Sequence, residues 1–168
     1  MSGTGLDAIL SPNSPPCPDW LAGHLYSMYV DTSLQAGSVL LPPPHTIGAT
    51  GTTTNILANW SGSKILVPTI GTTGAILQLP AVSAGLNYEF VLTANLSTYT
   101  VTIKSATANV HGVLTCGPSS LTQVHATSST NIIFAATDVD GDWCSVWSDG
   151  VSWYCKGSSF VASGFTVS

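Results

Sequence analysis

Charged residues are what this chain has least of. Only three of its 168 residues are cationic, all of them lysine, and eight are acidic, which gives a formal net charge of -5. Charged residues make up 7% of the sequence, against roughly 25% in an ordinary soluble domain. Because nucleic-acid binding needs several cations that displace counterions, the composition argues against a nucleic-acid partner. Weak self-repulsion instead favours association with other protein.

Long apolar runs and targeting signals are missing too. No hydrophobic run reaches the ~18 residues of a membrane-spanning helix, so no membrane partner is expected. Residues 1–7 carry neither the basic region nor the apolar stretch of a secretory signal. We therefore expect a protein that is made in the cytoplasm and that stays there or leaves inside a larger assembly.

Recognised catalytic and cofactor motifs are also absent. The four cysteines form no CxxC pair, and the four histidines are scattered without an HExxH. No GxSxG elbow and no glycine-rich phosphate loop with its lysine occur. The sequence therefore predicts a protein that is not an enzyme and that uses no cofactor.

What the chain does contain is a proline-rich start followed by a β-rich remainder. Residues 1–18 are rich in proline, serine and glycine, and residues 41–45 include three consecutive prolines, which are typical of an extended linker. Residues 19–34 fit either a short helix or a strand. We predict an N-terminal arm and linker over residues 1–45 and a β-domain over residues 46–168.

The β-domain is predicted from apolar residues that recur at every second position. This period places alternate side chains on one face of a strand. We expect seven to nine strands and an all-β fold, a β-sandwich or jelly-roll-like domain behind the proline-rich arm. The alternating sets are Ile65 and Val67; Ala75, Leu77 and Leu79; Leu86, Tyr88, Phe90 and Leu92; and Tyr99, Val101 and Ile103.

A hairpin is predicted around Asp149-Gly150, a favoured two-residue turn. This turn would place Cys144 directly opposite Cys155, at a separation of ~5.5 Å that a disulfide can bridge. Two reduced thiols are the alternative, and a cytoplasmic origin favours them.

The same hairpin divides its side chains between two faces. Trp143, Trp147 and Tyr154 fall on the nominally outer face, where three aromatic side chains call for an explanation. They are interpreted either as buried against a neighbouring subunit or the arm, which we favour, or as a platform on which sugars stack. The core face is predicted to hold Cys144, Val146, Trp153 and Cys155.

Asp138, Asp140 and Asp142 form the one acidic cluster of the chain. Carboxylates are ligands that Ca²⁺ and Mg²⁺ prefer, yet the glycine and glutamate positions of an EF-hand loop are not matched. A solvated turn is the favoured interpretation, and a metal site is the weaker one.

Four segments of the β-domain form a recognisable ordered set. They are 79–90 (LPAVSAGLNYEF), 100–103 (TVTI), 110–112 (VHG) and 147–154 (WSDGVSWY). In this order they resemble the β-rich modules of phage tail-fibre, head-fibre and capsid-decoration proteins. The resemblance covers roughly residues 70–157. It implies a structural or adhesive role, commonly as a trimer on the virion surface, and carries over no catalytic residue.

The sequence therefore predicts a virion structural protein, assembled in the host cytoplasm, that decorates or cements the capsid as a homotrimer. Its partners would be itself and the major capsid protein or other virion proteins. The alternative is a fibre or receptor-binding module that recognises host surface polysaccharide. Subunit contact, or sugar stacking, is assigned to Trp143, Trp147 and Tyr154. Capsid docking is assigned to Trp20, Leu25, Tyr26 and Tyr29, with residues 41–44 as a stiff spacer.

Overall fold

Twelve short strands and one 3-10 helix, Ala58–Trp60, make up the regular structure of the described residues. The structure is a computed structural model that describes residues 42–47, 53–68, 74–118 and 122–168. The strands are β1 (His45–Thr46), β2 (Thr53–Asn55), β3 (Lys64–Val67), β4 (Ala75–Gln78), β5 (Asn87–Leu92), β6 (Val101–Lys104), β7 (Val110–Cys116), β8 (Thr122–Ser129), β9 (Asn131–Phe134), β10 (Trp143–Ser148), β11 (Trp153–Ser159) and β12 (Phe165–Val167). The predicted docking residues Trp20, Leu25, Tyr26 and Tyr29 lie outside the described residues.

The strands form two mixed sheets that pack on each other. One sheet has seven strands in the order β1-β3-β5-β10-β11-β7-β8, and the other has five in the order β12-β9-β6-β4-β2. Apolar side chains from both sheets form one buried cluster. The predicted all-β class and the β-sandwich are therefore confirmed.

Alternation of burial along the strands explains why this sequence forms them. In β5, Tyr88, Phe90 and Leu92 are buried, whereas Asn87 is exposed and Glu89 is half-buried. Full burial of one such apolar side chain stabilises the fold by about 1.5–3 kcal/mol. The expectation that Tyr99 faces inward is wrong, because β6 begins at Val101 and Tyr99 is exposed.

The first half of the domain winds back and forth between the two sheets. The strands β1, β3 and β5 are parallel neighbours in one sheet, and β2, β4 and β6 are parallel neighbours in the other. This connectivity differs from a jelly roll, whose strands are antiparallel. His45, which the sequence assigned to the linker, is the first residue of β1.

The hairpin of β10 and β11 forms, but with a different register from the predicted one. Ser148 pairs with Trp153, so the connection is the four-residue loop 149–152. The Asp149 carboxylate closes this longer loop, because its Oδ1 accepts the N–H groups of Val151 and Ser152, both at 2.8 Å.

The register shift changes the neighbours of the two cysteines. Cys144 lies opposite Gly157, and Cys155 lies opposite Val146. The predicted direct pairing of Cys144 with Cys155 is therefore wrong. Both are buried free thiols, and their burial raises the pKa of Cys155 to about 11 and the pKa of Cys144 well above its ordinary value.

Candidate functional site

The outer face of the seven-stranded sheet carries an aromatic row across three neighbouring strands. Trp147 of β10 and Tyr154 of β11 are direct cross-strand partners. Their ring centroids are 6.0 Å apart and their planes differ by 23°. His111 of β7 lies beside Tyr154, with ring centroids 6.1 Å apart. Because Trp147 is 40% exposed, this row offers an aromatic surface to solvent.

The hairpin loop holds the aromatic row in place. The Tyr154 hydroxyl donates to Asp149 Oδ2 at 3.0 Å. Hydrogen bonds from the N–H groups of Ser152 and then Val151 lower the pKa of Asp149. The hydrogen bond to Asp149 raises the pKa of Tyr154. The four-residue loop 149–152, which replaces the predicted two-residue turn, is therefore the element that orients the Tyr154 ring.

The third predicted aromatic residue, Trp143, lies at the other end of β10. It faces the same side of the sheet but is four residues from Trp147, or about 13 Å along the strand. Trp143 lines two shallow cavities, of about 320 Å³ and about 220 Å³. The larger one also includes Phe160, which is 65% exposed. The structure therefore brings Trp147 and Tyr154 together and places Trp143 in a separate site.

The smaller cavity next to Trp143 is polar. Its other lining residues are Glu89, Ser145 and Lys156. Glu89 also accepts a hydrogen bond from the Lys64 ammonium at 3.1 Å, in an exposed ion pair. Such an exposed pair adds about 0–1 kcal/mol to stability.

The acidic turn differs from the predicted solvated one. Asp138 and Asp142 are 0% and 4% exposed, whereas Asp140 is exposed. The Ser159 hydroxyl oxygen lies 2.9 Å from Asp138 Oδ1 and 2.9 Å from Asp142 Oδ2. Two buried carboxyl groups therefore meet at one serine, which comes from the end of β11.

The number of hydrogens at this junction limits how the two carboxyl groups can be satisfied. A serine hydroxyl carries one hydrogen, so it can donate to only one of the two carboxyl groups. Asp142 also accepts the N–H groups of Val139 and Phe160, at 3.0 and 2.8 Å. Burial raises the pKa of Asp138 to about 7, and the nearby charge of Asp142 adds to the shift. Below this pKa, Asp138 carries a proton that it can donate to the Ser159 oxygen.

A strongly shifted carboxyl next to a cavity can mark acid–base chemistry, but the position of Asp138 points to a structural role. Its side chain is fully buried and does not line the cavity. Across residues 42–47, 53–68, 74–118 and 122–168, no group of three or more histidine, cysteine, aspartate or glutamate side chains could hold a metal ion. The carboxyl pair instead ties the 135–142 loop to the end of β11.

Sequence inspection missed Ser159 and Phe160 because both lie 17 or more residues beyond the acidic turn and match no motif.

No helix in the described part of the chain is long and apolar enough to cross a membrane. Comparisons of the chain with protein family models, with curated proteins and with solved structures find no match.

Proposed function

We propose that this protein is a structural component of a virion surface, where it decorates or cements the capsid as a homotrimer. One observation carries the proposal. The Trp147–Tyr154 pair lies on the open face of a sheet, in a chain of which only 7% is charged. A surface with a partly exposed aromatic pair and little charge favours association. The resemblance to virion modules supplies the setting, the virion surface assembled in the host cytoplasm.

The aromatic pair would anchor the subunit contact rather than supply all of it. Aromatic side chains bury 150–250 Å² each, whereas a standard interface buries about 1,600 Å² in total. The remaining area would come from the serine- and threonine-rich surface around the pair. Trp143, at the other end of β10, would lie toward the edge of such a contact.

Attachment to the shell is assigned to the N-terminal third, through Trp20, Leu25, Tyr26 and Tyr29. Pro43 and Pro44, which precede β1, are exposed and suit a spacer. We expect a chain that lacks residues 1–44 to keep the melting temperature of the β-domain and to lose binding to undecorated capsids in a co-sedimentation assay. A truncated chain that still decorates capsids would refute the docking role.

A receptor-binding module for host surface polysaccharide is the second candidate. It is favoured by the arrangement of the aromatic row, because Trp147 and Tyr154 are nearly parallel and Asn87 is the cross-strand neighbour of Trp147. Flat rings next to hydrogen-bonding groups suit the faces and hydroxyls of sugars. Titration of host polysaccharide should then quench tryptophan fluorescence in the native chain and in Trp143→Ala, but not in Trp147→Ala. An unchanged signal together with tight capsid binding would favour the structural role.

A further inference from the structure

We propose that the cavity between Trp143 and Phe160 receives a lysine or arginine side chain from a partner protein other than a second copy of this chain. The inference goes beyond the proposed function, because it places a docking pocket on the β-domain itself. It rests on the shape, the charge and the rigidity of this cavity.

The walls of the cavity suit the apolar stem of a basic side chain. Phe160 is 65% exposed, Trp143 is half-buried, and both line the cavity. A volume of about 320 Å³ can hold a single long side chain. Lysine and arginine stems pack on apolar surface, and their charged heads are attracted to aromatic faces.

The charge of the cavity is negative on the described residues that line it. These include Asp140 and Asp142 and no lysine. Asp142 accepts three hydrogen bonds, from the N–H groups of Val139 and Phe160 and from the Ser159 hydroxyl. Lys156 lines the smaller cavity, to which Trp143 also contributes. An entering cation would therefore meet the exposed Asp140 side chain together with the aromatic rings, and the buried Asp142 carboxylate lies behind them.

The cavity is preformed rather than built by its ligand. The Phe160 N–H donates to Asp142 Oδ1 at 2.8 Å, which fixes the backbone beneath the exposed ring. The Asp140 N–H donates to Asn95 Oδ1 at 2.9 Å, and the Leu92 N–H donates to the Asp142 carbonyl oxygen at 2.9 Å. A preorganised site avoids the entropy cost of ordering loops on binding.

The basic residue would come from another protein, because this chain offers few of its own. It has three lysines and no arginine. One of them, Lys64, already pairs with Glu89. A shell or fibre protein with an exposed lysine or arginine fits the chemistry better than a second copy.

The test uses the full-length, ¹⁵N-labelled protein and three capped tripeptides, Gly-Lys-Gly, Gly-Arg-Gly and Gly-norleucine-Gly. We expect saturable NMR shifts at the Trp143 indole and at the Asp140 and Phe160 amides with the two basic peptides. Their affinity should exceed that of the norleucine peptide at least fivefold and should fall with added salt. Equal affinity for the norleucine peptide, or shifts confined to other residues, would overturn the proposal.

Two variants and a matched control complete the experiment. Phe160→Ala and Asp140→Asn should each weaken binding of the lysine peptide at least threefold. Val151→Ala, which removes an apolar side chain that is 76% exposed in the hairpin loop, should leave it unchanged. Glucosamine that binds more tightly than either basic peptide would contradict a protein partner. The peptide assay needs no capsid, so a negative result would leave the proposals of a trimer and of N-terminal docking unaffected.

Discussion

Ser159 joins two buried carboxyl groups, and its single hydrogen can satisfy only one of them. Protonated Asp138 can complete the network, since its own hydrogen can reach the Ser159 oxygen while Ser159 donates to Asp142. When Asp138 loses its proton, two negative groups face one hydroxyl in a buried site. The link between the 135–142 loop and the end of β11 should therefore weaken as the pH rises.

The stability of the protein should fall between about pH 4 and pH 7 for this reason. The pKa of Asp138 is raised from 3.8 to about 7 in the folded protein, so the folded state binds the extra proton within this window. Stability is then fully present below pH 4 and is lost as the pH passes through 7. The loss is at most about 4 kcal/mol. Urea denaturation across this pH range measures it.

Asp138→Asn isolates the contribution of this carboxyl, because an amide can donate to Ser159 and accept from Ala135 at every pH. The variant should match the native chain near pH 4 and exceed its stability at pH 8. Asp140→Asn, at an exposed position, should have the same stability as the native chain at pH 4 and at pH 8. Parallel pH profiles for the native chain and Asp138→Asn would contradict the shared proton.

The buried thiols give a second prediction at this scale. Cys144 and Cys155 are free and buried, and their pKa values are raised. Since the thiolate is the reactive form, they should resist alkylation by iodoacetamide until the protein unfolds. Peptide mass mapping, which separates them from the two other cysteines of the chain, should show both thiols modified after alkylation in denaturant. An unmodified pair that becomes reactive only after reduction would show that they form a disulfide.

Among the elements, the parallel pairing of β7 with β11 depends on one glycine. Gly112 lies opposite Cys155 and has a φ of +151°. A Cβ at this position would lie 2.0 Å from the Cys155 carbonyl oxygen, so the two backbones would have to separate. Gly112→Ala should therefore destabilise the domain by about 3 kcal/mol or more, as measured by thermal melting.

Gly85→Ala is the matched control for this substitution. Gly85 also has a positive φ, of +85°, but a Cβ there would meet no atom within 4 Å. Its cost is the left-handed backbone alone, about 1–2 kcal/mol. Equal losses for the two variants would mean that the close approach of β7 and β11 does not limit stability.

The elements also show what the sequence could predict and where it failed. Alternation identified β5 and the core side of β10 and β11, because burial of every second residue leaves a direct trace in the sequence. Strand direction leaves no such pattern in the sequence, so the parallel pairing among β1, β3 and β5 and among β2, β4 and β6 was not predicted. The predicted hairpin register is wrong because Asp149 closes a four-residue loop through its side chain. An Asp-Gly pair alone does not reveal that choice.

The candidate site was predictable in part for the same reason. Parity along β10 and β11 placed Trp147 and Tyr154 on one face, and their direct contact follows from the observed register. The buried Asp138–Ser159–Asp142 network was not predictable, since it forms between distant loops. The run of aspartates alone matches a solvated turn, because the serine that contacts it lies 17 residues beyond Asp142 in the sequence.

For the whole molecule, the shortage of charge and the exposed aromatic row lead to the same expectation. A net charge of -5 spread over few groups gives little repulsion between copies. On our proposal, the Trp147–Tyr154 face is the anchor for association, and the protein works by assembling through it.

Light scattering behind a sizing column, which gives the native mass of the full chain, tests that claim most directly. We expect a mass near three times 17.3 kDa, with Trp147→Ala shifted toward a single chain. The mass of Trp143→Ala should stay close to that of the native chain. A native protein that runs as a monomer at all concentrations would contradict assembly through this face and would leave the aromatic row free for another ligand.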